Sequence, residues 1–456
     1  MTEQTDGYLL HGEAELLAIA DRAVAHARRI GSEAASALAS EAGGVTIKVR
    51  DGAPTSAVRN GGQALAITVY NGGRAGSANT EALDDESIRQ AVEHAHAIAL
   101  QVEPDPEAGL ADPEWLARHG PDAALFAPSG HSPSTLTGLS LEIEREALAK
   151  AAQIGVRVRV DEAAAASTDT RWARVISNGF ARSGSASTQS RACVAIAERE
   201  GEMARDWWHV VDRRVEELPD SATIAREAVE RGSAKLGGRS LPTQSAAVLL
   251  DARIAASLVS DLIGGLMGQA QQQRSTFLLD SLGEQRLAAH LNLTEDPLEP
   301  FGLASSAWDS EGVAASRRAV VRNGVIEGYF LNARSARKLG MASTGNADGP
   351  TNLTFSSDRC EAGDDLAAML RKMDRGLFVT QFMGGGVNPA TGDYSKAIEG
   401  FWIEGGEIVH PVRDVTIAGN LKVMLADIAA VGACTYRSGP VRTGPILLDT
   451  MRIAGR

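Results

Sequence analysis

The segment from Phe378 to Ile428 restricts the fold more than any other part of this chain, because short apolar runs alternate there with glycine-rich breaks. Phe378 to Phe382 is followed by Gly384, Gly385 and Gly386, where the backbone can take conformations that a side chain forbids. A second run, Tyr394 to Ile403, passes through Glu404-Gly405-Gly406 into Ile408 to Val412. This spacing predicts strand, glycine loop, strand, hairpin turn and strand. Asn420 stands as an N-cap before Leu421, Met424, Leu425 and Ile428, whose three-and-four spacing makes one apolar helical face.

The rest of the chain mixes the same two periods. Helical spacing over Glu13 to Leu38 predicts an opening helix, and from Val45 the period changes to two. The next runs are separated by Asp51-Gly52, Asn60-Gly61-Gly62 and Asn71-Gly72-Gly73, the chemistry of tight hairpins, which predicts an antiparallel meander. Asp84 or Asp85 caps a helix carrying Ile88, Val92, Ala95, Ala99 and Val102. Prolines 104, 106, 113, 121, 128 and 133 then interrupt a stretch without regular pattern.

Beyond it come a helix over Leu139 to Ile154, strands near Val156 to Val160, Arg171 to Ser177, Ser187 to Ala197 and Glu202 to Val211, and a loop at Arg182 to Ser185. A helix over Ser221 to Leu236, a strand over Ala246 to Leu250 and a partly buried helix over Ala252 to Met267 come after them. Next are strands at Arg317 to Val321 and Val325 to Leu331, and helices at Ala333 to Leu339 and Asp364 to Met373. This order is neither a regular βαβ series nor all-β, so the expected class is α+β. The expected division is an N-terminal α+β domain with an antiparallel meander (1–103), a proline-rich connection (104–138), a central α+β segment (139–236) and a C-terminal domain (237–456). That last domain is expected to be rich in antiparallel sheet with packed helices.

Composition narrows the partners. The 58 acidic against 45 basic residues leave a formal charge of −13 and no dense basic block, which disfavours direct binding to a phosphate backbone. No apolar run reaches membrane-spanning length and no secretory leader pattern opens the chain, so a cytoplasmic location without membrane contact is expected. Cys193, Cys360 and Cys434 lie far apart, which suggests neither a disulfide framework nor a cysteine zinc site. Of the nine histidines only His94 and His96 are close, and two residues apart on a helix they cannot share an ion. Nucleophile-elbow, P-loop and dinucleotide fingerprints are missing, and Gly384 to Gly386 without a lysine partner is a weak phosphate signal.

Several blocks together resemble the PmbA branch, also called TldE, of the TldD/PmbA family. They include Val379-Thr380, Met383-Gly384, Thr391-Gly392-Asp393-Tyr394-Ser395, Gly400-Phe401-Trp402, Gly406-Glu407-Ile408 and Thr416 to Lys422. Ser275 to Gly283, Phe301 to Ser305, Asp309 to Val313, Ser335 to Gly340 and Gly76 to Thr80 extend the likeness over nearly the whole chain.

The resemblance implies a subunit of a cytoplasmic metallopeptidase acting on flexible peptides such as leader peptides and an unfolded antitoxin. In that family the TldD subunit carries the zinc, on a His-Glu-x-x-x-His helix with a later cysteine. Here the matching stretch is Leu258-Val259-Ser260-Asp261-Leu262-Ile263, so Leu258, Val259 and Ile263 replace both imidazoles and the carboxylate. Near the family's cysteine the chain offers Arg442-Thr443-Gly444, with Cys434 upstream.

With those donors gone, the resemblance implies a non-catalytic partner subunit with no catalytic residue, metal ligand or cofactor of its own. Zinc is expected in a TldD-type partner, as a heterodimer or higher assembly, with a homodimer allowed where that partner is absent. Gly384, Gly385, Gly386, Asp393, Tyr394, Ser395, Trp402 and Asn420 are the expected peptide-channel or subunit-contact residues. Two rival readings are a zinc metallopeptidase in its own right, using scattered ligands such as Asp206, His209 or His410, and a protein-binding modulator of DNA gyrase.

Overall fold

In the computed structural model, which describes residues 9–118, 123–433, 436 and 438–455, the chain is α+β with predominantly antiparallel sheets. Helix α1 (Glu13–Arg29) buries Leu16, Ile19, Ala20, Ala23, Val24 and Ala27 at the expected spacing. It stops well before Leu38: Gly31 takes φ +98° and strand β1 (Ala34–Arg50) begins. Alanine favours helix by only tenths of a kcal/mol per residue, whereas Ala35, Ala37 and Ala39 here are fully buried in a ladder and under α1 and its neighbours. Packing overrides propensity.

Strands β2 (Ala53–Asn71) and β3 (Arg74–Thr80) continue the meander. Asp51-Gly52 and Gly72-Gly73 turn with positive φ at both central residues, as type I′ hairpins require. Asn60-Gly61-Gly62, expected as a turn, instead lies inside β2 with Gly61 opposite Gly43 of β1. A Cβ on Gly61 would sit 2.4 Å from the Ala42 carbonyl oxygen, so glycine serves close backbone approach there.

Helix α2 (Asp85–Ala99) is capped by Asp84, whose carboxylate accepts from the Glu86 and Ser87 N–H groups. Helix α3 (Pro133–Gln153) starts before the expected Leu139, inside the stretch assigned to the connection. Pro133 opens its first turn and the Ser132 hydroxyl accepts from Thr135 N–H, so this proline begins a helix rather than interrupting one.

Strands β4 (Arg157–Ile176), β5 (Ala181–Arg199) and β6 (Glu202–Asp212) precede helix α4 (Ser221–Ala234). The expected loop at Arg182 to Ser185 is part of β5, and the expected strands at 156–160 and 171–177 are two ends of β4. One sheet, in the order β3-β2-β1-β4-β5-β6, therefore spans residues 34–212. Ala35, Ala37 and Ala39 pack under α1 and α2, while Val45, Ile47 and Val49 on the same face of β1 pack under α3.

The C-terminal half contains β7 (Gln244–Leu250), α5 (Ala252–Leu266), α6 (Gly268–Gln272), β8 (Leu291–Asp296), β9 (Arg318–Arg322), β10 (Val325–Ile326), α7 (Ala333–Leu339), β11 (Asn352–Ser357) and α8 (Leu366–Met373). It ends with β12 (Gly376–Val387), β13 (Asp393–Glu404), β14 (Glu407–Asn420), α9 (Leu421–Ala426), β15 (Ile428–Val431), β16 (Val441–Arg442) and β17 (Ile446–Ala454). The strand expected over Val325 to Leu331 shrinks to two residues, and Ile428, expected on the last helical face, belongs to β15. Strands β10-β9-β8-β11-β16 form one sheet. Strands β14-β13-β12-β7-β17-β15 form another, whose first five close on themselves because Thr416 to Ala418 pair with Ala454 to Arg452. The result is a small barrel beside α5.

The two halves meet through buried charge. The Asp206 carboxylate on β6 accepts from Arg253 Nη1 at 3.0 Å and pairs with Lys235 Nζ at 3.0 Å, all three side chains being at most 5% exposed. Arg213 adds bonds from its guanidinium to the Gly302 and Leu303 carbonyls, and Phe180 meets Trp308 edge-on with ring centroids 5.0 Å apart. Among the described residues no helix is long and apolar enough to cross a membrane.

Candidate functional site

Helix α5 leaves β7 at Asp251, whose side chain accepts from Arg253 N–H at 2.9 Å while its own N–H donates to the Val379 carbonyl of β12 at 2.9 Å. The helix is thereby pinned to the strand that carries the glycines. Its three-and-four spacing turns Leu258, Val259 and Ile263 inward, where they are 0%, 1% and 7% exposed in a core with Leu262, Leu266, Phe277 and Ile398. Each such aliphatic stabilises by about 1.5–3 kcal/mol through burial and offers no lone pair to a metal.

Strand β12 departs from the expected strand-and-glycine-loop pattern. Gly384 to Gly386 do not break it: it runs to Val387, with register shifts against β13 at Val379/Gln381 and Phe382/Gly384. Gly384 and Gly385 take φ +156° and +100°, and a Cβ on Gly385 would lie 2.2 Å from the Ser395 carbonyl. Gly384 stands at the second of these register shifts. β7 pairs with β12 only over Gly376 to Val379, so beyond Val379 β12 has β13 on one edge and, among the described residues, no strand on the other. Met383 is 56% exposed on that free segment.

The true turn is Asn388 to Gly392. Asn388 N–H donates to the Asp393 carbonyl and Gly392 N–H to the Asn388 carbonyl, both at 2.8 Å. Asp393 Oδ2 accepts from the Thr391 hydroxyl at 2.7 Å and Oδ1 from Asn420 Nδ2 at 3.0 Å. These bonds, from Thr391 first and then Asn420, hold the exposed carboxyl below the usual range. Asn420 caps α9 as expected, its Oδ1 accepting from Lys422 N–H. Phe277 N–H donates to the Pro389 carbonyl at 2.8 Å, which joins the Ser275 to Gly283 block to this turn.

Gly384, Gly385, Gly386, Asp393, Tyr394, Ser395 and Asn420 therefore share one end of the barrel: Gly386 pairs with Ser395, and Asp393 with Asn420. Trp402 does not join them. Eight residues along β13 from Tyr394, hence roughly 27 Å away at the usual strand rise, it is buried at the other end with Nε1 donating to Glu404 Oε1 at 3.0 Å.

The scattered-ligand residues are also dispersed in role. Asp206 is taken up by Lys235 and Arg253, the His209 carbonyl accepts from the Tyr436 hydroxyl, and His410 Nδ1 lies 3.0 Å from the Pro411 carbonyl. Cys434 lies outside the described residues. Arg442 pairs with Glu299, and Thr443 is buried.

Three residues matter more than the sequence suggests. Asp261 on α5 is half-buried with Oδ2 unpartnered, the buried Tyr394 hydroxyl has no partner, and Lys396 Nζ lies 5.5 Å and 5.3 Å from the Tyr394 and Phe382 ring centres. Burial raises the Asp261 carboxyl above its usual range and, with the Asp261 charge, raises the Tyr394 phenol. Only the third dimension brings helix and hairpin together.

Comparison with known proteins agrees with this architecture. The PmbA/TldA metallopeptidase domain 1, central domain and C-terminal domain match residues 35–99, 126–236 and 243–455. The metalloprotease PmbA of Escherichia coli O157:H7 is 36% identical over 428 residues, covering 93% of each chain. The chain belongs to the PmbA/TldD metallopeptidase family. Within that family, the crystal structure of a candidate modulator of DNA gyrase from Bacteroides thetaiotaomicron superposes with a TM-score of 0.89 at 25% identity, over 98% of this chain and 100% of that one. TldE of Thermococcus kodakarensis shares the fold, with a TM-score of 0.83 at 19% identity over 96% and 100% of the two chains.

Membership of a metallopeptidase family implies a metal, and the donors on α5 do not fit one. Leu258, Val259 and Ile263 are aliphatic, and among the described residues no three His, Cys, Asp or Glu side chains are grouped to hold an ion.

Proposed function

We propose that this PmbA/TldD-family chain is the non-catalytic partner of a zinc-bearing TldD-type subunit in a cytoplasmic peptidase that processes or degrades flexible peptides. The observation that carries this reading is the burial of Leu258, Val259 and Ile263: where a zinc peptidase needs two imidazoles and a carboxylate, this helix has packing side chains. The free edge of β12 beyond Val379 supports the second part. An extended peptide can add to an open strand edge through main-chain hydrogen bonds, which recognise unfolded chains with little regard to sequence.

The turn held by Thr391, Asp393 and Asn420 is a rigid lip at the end of that edge. Its role in this reading is to shape the peptide channel or to seat the partner subunit. The Escherichia coli relative is named a metalloprotease, which favours a second reading, a metallopeptidase in its own right.

Co-expression with a TldD-type subunit, followed by native mass measurement, tests the proposal. The expected result is a stable complex containing both chains. A chain that pairs only with itself, or that retains gyrase as its dominant partner while ignoring the TldD-type subunit, would overturn it.

A further inference from the structure

The end of the barrel holds two polar atoms for which the fold supplies no bond. Tyr394 is 2% exposed and its hydroxyl has no hydrogen-bond partner, and Asp261 Oδ2 is buried and equally unpartnered. Leaving such atoms unsatisfied is costly, and native folds keep them chiefly where a ligand or a water completes the set. They belong to different elements, α5 and β13, and are linked through Lys396, which lies over the Tyr394 ring and attracts the Asp261 carboxylate, while the Asp261 charge is felt at the Tyr394 hydroxyl. Lys396, two residues along the same face of β13, lies over the Tyr394 and Phe382 rings.

The mixture of groups selects the ligand. A carboxylate would meet Lys396 favourably and Asp261 unfavourably, and an ammonium the reverse. An uncharged group with one donor and one acceptor suits both orphan atoms: its N–H goes to Asp261 and its C=O receives the Tyr394 hydroxyl. A main-chain amide of an extended peptide has that pair, and the adjacent open edge of β12 is where such a chain would lie.

We propose that Asp261 and Tyr394 together bind one main-chain amide of a peptide docked along β12, with Lys396 swinging aside to admit it. This rests on the peptide-channel reading above and adds to it a defined subsite on the helix where the zinc ligands of a TldD subunit would stand. Asp261 and Tyr394 are substrate-positioning residues here, and no covalent step is assigned to them.

The test uses the full chain and an end-blocked, alanine-rich peptide without Asn or Gln, with binding followed by calorimetry. Tyr394→Phe should weaken binding by roughly three- to tenfold and Asp261→Ala by about tenfold or more. A peptide in which a single amide is replaced by an ester, scanned along the chain, should lose affinity for the natural protein at one linkage and show no further loss with Asp261→Ala. Tyr394→Phe should not lower the thermal midpoint, since the hydroxyl it removes has no bond to lose, and Asp261→Ala should lower it little, since it gives up only the attraction to Lys396.

Equal binding to the natural and substituted chains would assign the two atoms to a buried water and overturn this subsite alone. A fall in midpoint for Tyr394→Phe would mean that the hydroxyl is bonded within the fold, and binding that requires an Asn or Gln side chain would mean that a side-chain amide is read. Either result overturns the proposal. No binding to the natural chain would overturn the channel reading as well.

Discussion

Glycine does opposite work in the two sheets of this chain. In the six-stranded sheet Gly43 and Gly61 face each other so that β1 and β2 can press together, and the surrounding strands are rich in alanine and serine. In the barrel Gly384 to Gly386 lie on the segment of β12 that runs past β7 with one edge free, beginning at the second register shift against β13. The first sheet is a scaffold of long, closely packed strands. In the second, large side chains fill both faces: Ile398 and Trp402 pack on the α5 side, and Phe401 packs with Met369, Leu370 and Met373 of α8 on the other. Small residues serve closure in one sheet and access in the other.

This contrast can be broken experimentally, and the junction between the halves should give the largest effect. Asp206→Ala removes the carboxylate shared by the buried Lys235 and Arg253, leaving them Glu399 and Asp251 respectively, and should lower stability by about 3–5 kcal/mol in denaturant unfolding. Leu258→Ala, which opens a cavity beside the barrel, should cost about 2–5 kcal/mol by the same measurement. A much smaller loss would mean that α5 is not a packing helix.

The glycines themselves give the sharpest pair. Gly61→Ala forces a Cβ to 2.4 Å from a carbonyl oxygen at φ +150° and should cost about 1–3 kcal/mol. Gly386→Ala meets nothing within 4 Å and should change stability by less than about 0.5 kcal/mol. Equal effects would erase the distinction between the sheets.

Glu311, near Tyr70 of the first sheet, has its carboxyl pushed up to about 7 chiefly by burial, while its Oε2 accepts from Ala333 N–H. A carboxyl whose folded value exceeds its ordinary 4.5 contributes stability that is complete below that value and lost as the pH rises through about 7. Glu311→Gln keeps the acceptor and should therefore stabilise the chain relative to the natural protein by on the order of 1 kcal/mol at pH 8, with the advantage vanishing toward pH 4.5. Asp393→Ala gives up two exposed hydrogen bonds and should change folding only modestly, yet weaken assembly or peptide capture without altering metal content. Unchanged pairing and unchanged cleavage would refute that role.

Much of the barrel was legible because its residues are unambiguous. Glu404-Gly405-Gly406 and Asn420 behave as their chemistry dictates, and the aliphatic Leu258, Val259 and Ile263 are packed as their spacing implies. The first sheet was harder to read. Alanine-rich residues 34–44 carry a helix former's composition, and Asn60-Gly61-Gly62 carries a turn's, but pairing across two long strands decides both. The grouping of Asp261, Tyr394 and Lys396 was out of reach in one dimension, because a helix and a hairpin more than a hundred residues apart meet only after folding. Trp402 shows the converse: neighbours in a family block can stand at opposite ends of a strand.

The central claim, that this chain shapes a peptidase without supplying its metal chemistry, is tested most directly by peptide cleavage measured on the purified chain before and after addition of a TldD-type subunit, with zinc determined on the same samples. No cleavage and no stoichiometric zinc are expected before addition, and cleavage with zinc afterwards. Stoichiometric zinc and cleavage by this chain alone would contradict it.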